Sequence, residues 1–258
     1  TPLYSSAASD VYKRQTLMQA LVDLHIHSCL SPCADEDMTP WNIVGMARLK
    51  GLDAVAICDH NAALNLPAAM KAGREYGVCV VPGLEVTSRE DVHLLCYFPL
   101  VEQALEMGVR VWEKQKKIRN KPALFGTQYQ VDEDDGICGQ VEHLLLNACS
   151  MDLEEVAATA WQLGGVMVPA HINKGANSLL PTLGFLPVTP AMPTVEIYKT
   201  RPHSALGRLC LVSSDAHQLG DILEAGHPLS CAAITPQGIV EALRCGEPIA
   251  KSPERSAP

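Results

Sequence analysis

Residues 21–32 read LVDLHIHSCLSP, an apolar run that ends in two histidines two residues apart and then meets a turn of Ser, Cys and Pro. On a strand, residues i and i+2 share a face, so His25 and His27 point the same way from the end of a buried strand. Packing has little need of two imidazoles on one face, whereas Zn, Mn, Fe or Cu is gripped by such a pair. The chain must therefore fold so that further ligands gather beyond the end of its first strand.

The segments that follow suit an alternating α/β fold. MTPWNIVGMARLKG (38–51) carries Thr39 as N-cap, Pro40 at the first helical position and Gly51 just past the end. LDAVAIC (52–58) is a continuous apolar run, PAAMKAGREYG (67–77) is helical, and VCVVPGLEVTS (78–88) begins as another buried strand. VHLLCYF (92–98) follows, then a helix expected from 100 to 118. Further on, DLEEVAATAWQLGG reads as a helix, VMVPAHI, TVEIYKT, LCLVSSDAH and CAAIT as strands, and PQGIVEALRCG as a capped last helix. This rhythm predicts about seven buried, parallel strands with right-handed crossovers, in one domain over 18–250. An aromatic content of 5% with 18 Gly fits that class better than an aromatic-rich sandwich. Residues 120–150 break the rhythm around an Asp and Gly turn and are expected to form a small insertion, a hairpin or lid. TPLYSSAASDVYKRQ (1–15) has no amphipathic period and is read as a non-native or disordered leader, and 251–258 as a disordered tail.

Metal-competent residues recur where these strands are expected to end. They are His25 and His27, Asp59 with His60, Glu85 in PGLE, His93 in DVHLLCYF, His171 in VPAHIN, and Asp215 with His217 in SSDAH. Barrel active sites collect at such carboxyl ends. The net charge of −9 repels a phosphate backbone, so extended nucleic acid is not expected as a partner. A small anionic substrate remains compatible if metal supplies the positive charge. No apolar run is long enough to span a membrane. Cys58, Cys79, Cys96, Cys210 and Cys231 sit in apolar runs as buried thiols do, which implies a reducing, cytoplasmic setting.

In order, DLHIHS, CDHN, PGLEVTS, HLLCYF, PAHIN and SSDAH resemble the motifs of the polymerase and histidinol phosphatase (PHP) superfamily, from about residue 20 to 220. The resemblance implies a distorted (β/α)7 TIM-like barrel and a metal-dependent phosphoesterase with two or three divalent ions, Mn, Zn or Fe. It makes His25, His27, Glu85 and Asp215 ligands of one metal, with Glu85 bridging to a second held by His93 and His171. His60, His217 and a loop carboxylate would hold a third. Family members often carry SDG before a Ser-Pro or Thr-Pro. This chain has CADEDMTP there, and counting back from Pro40 favours Asp35 over Asp37. Asp59 is expected to orient a ligand.

The reaction implied is hydrolysis of a small phosphomonoester, such as a nucleotide, a sugar phosphate or a histidinol-phosphate-like ester, through metal-bound hydroxide. Glu85, Asp215 and His217 would be its catalytic residues, with His217 or a metal-held water protonating the leaving group. Lys174 in HINKGANS and Arg201 in YKTRPHS are candidate phosphate clamps. The run DEDD (132–135) lacks the alternation of a calcium loop and reads as a solvated turn. Two other readings share part of the pattern. Amidohydrolase barrels also open with His-x-His but cleave C–N or C–O bonds, and a polymerase-associated module would keep the fold without catalysis.

Overall fold

The computed structural model describes residues 17–246, so the expected leader (1–15) and tail (251–258) lie outside the described residues. β1 (Met18–Ile26) leads through a loop into α1 (Pro40–Leu49), where the Thr39 side chain accepts from the Asn42 N–H as the sequence requires. β2 (Ala54–Ile57), α2 (Leu66–Tyr76) and β3 (Cys79–Val80) follow, with β2 parallel to both β1 and β3. β4 (Gly83–Thr87) and β5 (His93–Tyr97) come next, then α3 (Val101–Lys114).

Strand direction departs from the all-parallel expectation. β4 and β5 pair antiparallel from Gly83↔Tyr97 to Thr87↔His93, and β8 (Val166–Pro169) pairs antiparallel with β5. Only residues 88–92 separate β4 from β5, a tight turn closed by the Ser88 N–H on the Val92 carbonyl, and a parallel crossover needs a dozen residues or more. β9 (Thr194–Glu196) and β10 (Leu209–Leu211) are parallel, whereas β11 (Pro228–Cys231) is antiparallel to β1. Hydrogen-bonded ladders divide the described strands into sheets ordered β11-β1-β2-β3, β4-β5-β8 and β10-β9, with a further two-stranded ladder in the insertion. Single parallel bridges, Ile26↔Ala216 and His60↔Glu85, join strand ends where no ladder runs.

Alternate residues of one strand fall into different apolar clusters. Ala54, Ala56 and Cys58 pack with Leu24, Leu95, Tyr97 and Val168, while Val55 and Ile57 pack under the helices with Ile43, Ala69 and Leu94. Such strands are buried on both faces, which explains their near-continuous apolar runs. α4 (Leu153–Gln162) starts on a reciprocal capping box between Asp152 and Glu155, and α5 (Pro236–Cys245) on Thr235. α3 stops at Lys114, short of the expected 118, because Gln115 and Arg119 leave the helix to bridge Cys149 and His143.

The insertion holds a hairpin of β6 (Tyr129–Val131) and β7 (Ile137–Gln140), and its DEDD turn is docked rather than merely solvated. Asp135 accepts the Trp41 backbone N–H at the start of α1, the Trp41 indole donates to the Glu133 carbonyl, and Asp134 pairs with Lys71.

Gly73 shows how closely α2 lies on its sheet. A Cβ there would sit 2.7 Å from Val80 Cγ2 and 2.8 Å from the Val78 carbonyl oxygen. Ala normally favours a helix over Gly by about 1 kcal/mol, but overpacking costs about 1–3 kcal/mol, so the clash wins. Gly73→Ala is expected to lower the urea midpoint, and an unchanged or raised midpoint would show the contact to be soft.

Candidate metal centre

Glu85, in the middle of β4, is fully buried, and neither carboxylate oxygen has a hydrogen-bond partner among the described residues. Five imidazoles nonetheless crowd it. His60 Nδ1 and His93 Nδ1 lie 2.9 Å from its oxygens, His25 Nε2 3.3 Å, His171 Nε2 3.4 Å and His27 Nε2 3.6 Å. Asp215 closes the group, with Oδ1 3.2 Å from His27 Nε2 and 3.4 Å from His25 Nε2.

The far side of several rings fixes which nitrogen is left over. His25 Nδ1 donates to Glu196 (3.1 Å), and His217 Nδ1 donates to the Asp215 carbonyl (2.8 Å). The Ser31 hydroxyl gives its proton to Asp59, so it accepts from His27 Nδ1 at 3.1 Å. In a neutral ring these acceptors place the proton on Nδ1 and leave Nε2 as the nitrogen free to ligate. His25 Nε2 and His27 Nε2 are 3.1 Å apart with no proton assigned between them.

Converging lone pairs and carboxylates repel unless cations sit among them, so the donor set fits metal ions. Ligand atoms within 4.8 Å of one another form three groups: His25, His27 and Asp215; His60, Glu85 and His93; and His27, His60 and His217. Burial alone would push the Glu85 carboxyl up, but His93, His25 and His60 outweigh it and hold it well below its ordinary value. Burial would likewise lower His25, yet the carboxylates of Glu196, Glu85 and Asp215 raise it. His27 is pulled well down by burial and by His60.

The sequence model of the PHP domain matches residues 23–159. The chain belongs to the PHP-domain family. Over 66 residues it is 32% identical to a 5'-3' exoribonuclease of Haemophilus influenzae, covering 26% of this chain and 23% of that protein's length. Among solved structures, the lesion-specific endonuclease Q of Pyrococcus furiosus superposes with TM-score 0.61 at 21% identity, over 88% of this chain and 56% of that one. Endonuclease Q bound to a 27-mer duplex with an abasic lesion at the active site superposes with TM-score 0.53 at 22% identity, over 78% of this chain and 50% of that one. These likenesses confirm an α/β fold of PHP type.

They also correct the exclusion of extended nucleic acid. A fold of this kind receives duplex DNA in endonuclease Q. Net charge averages over the whole surface, whereas a strand meets the field of the site itself.

The elements explain how the PHP site is assembled. His25 lies at the end of β1 and His27 just past it, His60 follows β2, and His171 and Asp215 follow β8 and β10. His93 instead opens β5, and it reaches the same place because β5 runs against β4. His171 and Asp215 take left-handed backbone, with φ of 27° and 55°, conformations that recur where a side chain must be aimed. Asp59 accepts from the Ser28 N–H and the Ser28 and Ser31 hydroxyls, and so steadies His27 through Ser31.

Several expected residues stand elsewhere. Asp35 is exposed and joins none of the three groups, although its backbone N–H donates to the His217 carbonyl; Asp37 is exposed too. Lys174 Nζ lies 2.5 Å from Asp215 Oδ2, at the edge of the centre. The Arg201 guanidinium donates to the Ala205 and Arg208 carbonyls of its own loop, so nothing directs it at the metal groups.

Glu196 was not singled out from sequence. It ends β9, is 2% exposed, and accepts from both His25 Nδ1 and the His171 N–H (2.7 Å). Its signal was an acidic residue interrupting the apolar run TVEIY. A carboxylate behind a ligating histidine raises the ring's basicity, and losing such a partner costs about 10–100-fold in metal affinity. Glu196→Gln is expected to weaken binding by that factor in competition with a chromophoric chelator. Unchanged affinity would reduce Glu196 to a packing role.

Proposed function

We propose that this PHP protein is a metal-dependent phosphoesterase acting on a small phosphomonoester through two or three divalent ions, Mn, Zn or Fe. One observation carries the reading. The buried Glu85 carboxylate is met by His25, His27, His60, His93 and His171 but by no hydrogen-bond donor. When bound, the ions lower the pKa of a water and neutralise charge on phosphoryl oxygens.

The chain's own residues then divide the work. His25, His27 and Asp215 hold one ion. Glu85 with His93, His60 and His171 holds another, and His217 with His27 and His60 frames a third position. His217 serves as a ligand rather than the leaving-group acid, because its Nδ1 proton is engaged by the Asp215 carbonyl. Lys174 binds a phosphoryl oxygen by turning from Asp215; its side chain is 41% exposed, which gives it freedom to move. Arg201 is left out of the clamp. We also read the strands β1, β2, β4, β5, β8, β9 and β10 as the members of a distorted seven-stranded ring, a reading supported by the bridges Ile26↔Ala216 and His60↔Glu85.

The test pairs metal content by mass spectrometry on gently purified protein with product release from phosphomonoesters, a phosphodiester, an abasic duplex, and a lactone or amide. Two or three transition-metal ions with phosphate release are expected. His171→Ala should retain the fold, lose one ion and lower kcat by at least about 10–100-fold, the range seen when a mere supporter of a ligand is removed. Lactone or amide cleavage without phosphate release would move the protein to the amidohydrolase class. Full metal content and activity in His171→Ala would void the ligand set.

A further inference from the structure

Beside the metal groups stands an aromatic ring that the chemistry above does not use. Tyr198, two residues past the end of β9, is 39% exposed in a chain with few aromatics. Its backbone is nevertheless tightly held. The Asn173 side-chain amide donates to the carbonyls of Tyr198 and Thr200 (3.0 Å each), and its Oδ1 accepts the Tyr198 N–H (2.8 Å). Asn173 lies between His171 and Lys174, so one short turn carries a metal-competent histidine, the phosphate-facing lysine and the anchor of Tyr198.

Cations cluster on this ring. Lys199 Nζ stands over it at 4.9 Å from the centroid and Lys174 Nζ at 5.7 Å, while Lys174 also touches Asp215 at 2.5 Å. Lys199 takes left-handed backbone, φ 57°, which a lysine adopts only when its surroundings impose it. A rigid, exposed, electron-rich face one lysine away from a phosphate site matches a nucleoside phosphate, whose base stacks on aromatics while its charge meets cations. An exposed cation–π contact is weak, so Lys199 can yield the ring to a base.

We propose that Tyr198 is the platform for the base of a nucleoside phosphate, free or terminal on a strand, whose phosphate lies at the metal centre. This rests on the phosphoesterase reading and narrows its substrate class. Tyr198 sets specificity by stacking and takes no part in the bond-breaking step.

The experiment compares the metal-loaded parent with Tyr198→Ala and Tyr198→Phe on three substrates: adenosine monophosphate, a 5'-phosphorylated trinucleotide and ribose 5-phosphate. Tyr198→Ala should raise KM for a base-bearing substrate about tenfold and leave kcat within about twofold. It should leave KM for ribose 5-phosphate unchanged, and Tyr198→Phe should behave as the parent. Whichever base-bearing substrate has the lower KM identifies its source. An equal rise for ribose 5-phosphate would overturn the proposal, since the ring would then merely hold the loop. A parent that does not favour a base-bearing substrate over ribose 5-phosphate would also overturn it, and this arm decides even if Tyr198→Ala fails to fold. A parent that releases phosphate from none of the three would instead refute the phosphoesterase reading on which the proposal rests.

Discussion

A carboxylate without a hydrogen-bond donor stays ionised in a protein interior only if positive charge surrounds it. Glu85 is in that position, and His93, His25 and His60 supply that charge, though the crowded rings cannot all be protonated at once. His25 and His27 bring ring nitrogens within 3.1 Å of one another. Protonating both would set like charges in contact in a dry site, and the two rings are indeed driven apart, His25 upward by three carboxylates and His27 downward by burial and His60. Divalent ions would remove the conflict, by accepting the lone pairs of neutral rings and offsetting Glu85 at once.

The rest of the chain can be understood as support for that cluster. Three of the converging rings are fixed from behind: His25 by Glu196 on β9, His27 by Ser31, itself held by Asp59 after β2, and His217 by a carbonyl two residues back. The β4–β5 hairpin brings His93 to Glu85 without a crossover. Beneath the site, the Tyr97 hydroxyl donates to the Leu24 carbonyl, so even the layer under the ligands is hydrogen-bonded across strands. Asp23, on β1 two residues before His25, accepts the Ser214 and Leu223 N–H groups and draws the Asp215 segment onto β1.

What could be read from sequence was whatever depends on local chemistry. The His-x-His spacing, the Thr39 and Pro40 helix start and the polar residues closing apolar runs all act over a few residues, and the structure places them as those rules require. Strand direction was not legible in the same way, because an apolar run looks alike in a parallel and an antiparallel sheet when both faces are buried. The short 88–92 link was the available clue against a crossover. Glu196 escaped notice because its partners are 171 and 25 residues away, so no spacing advertises it. Asp35 was chosen by counting along a loop, and a loop's length does not say where its carboxylates point.

The charge argument fails for a related reason. A net charge of −9 describes the chain as a whole, yet the loops after β8 and β9 set Lys174 and Lys199 on one ring, with Lys174 against Asp215 at the edge of the candidate centre. An anionic substrate is steered by the field within about a Debye length, roughly 8–10 Å at ordinary salt, and distant acidic residues are largely screened from it. Overall acidity then acts mainly as a filter. It weakens the indiscriminate backbone attraction that a basic surface would offer, while leaving a small anion that fits the site free to bind. Selectivity in such a protein has to come from contacts close to the metals, and Tyr198 and the lysines around it are placed where those contacts can be made.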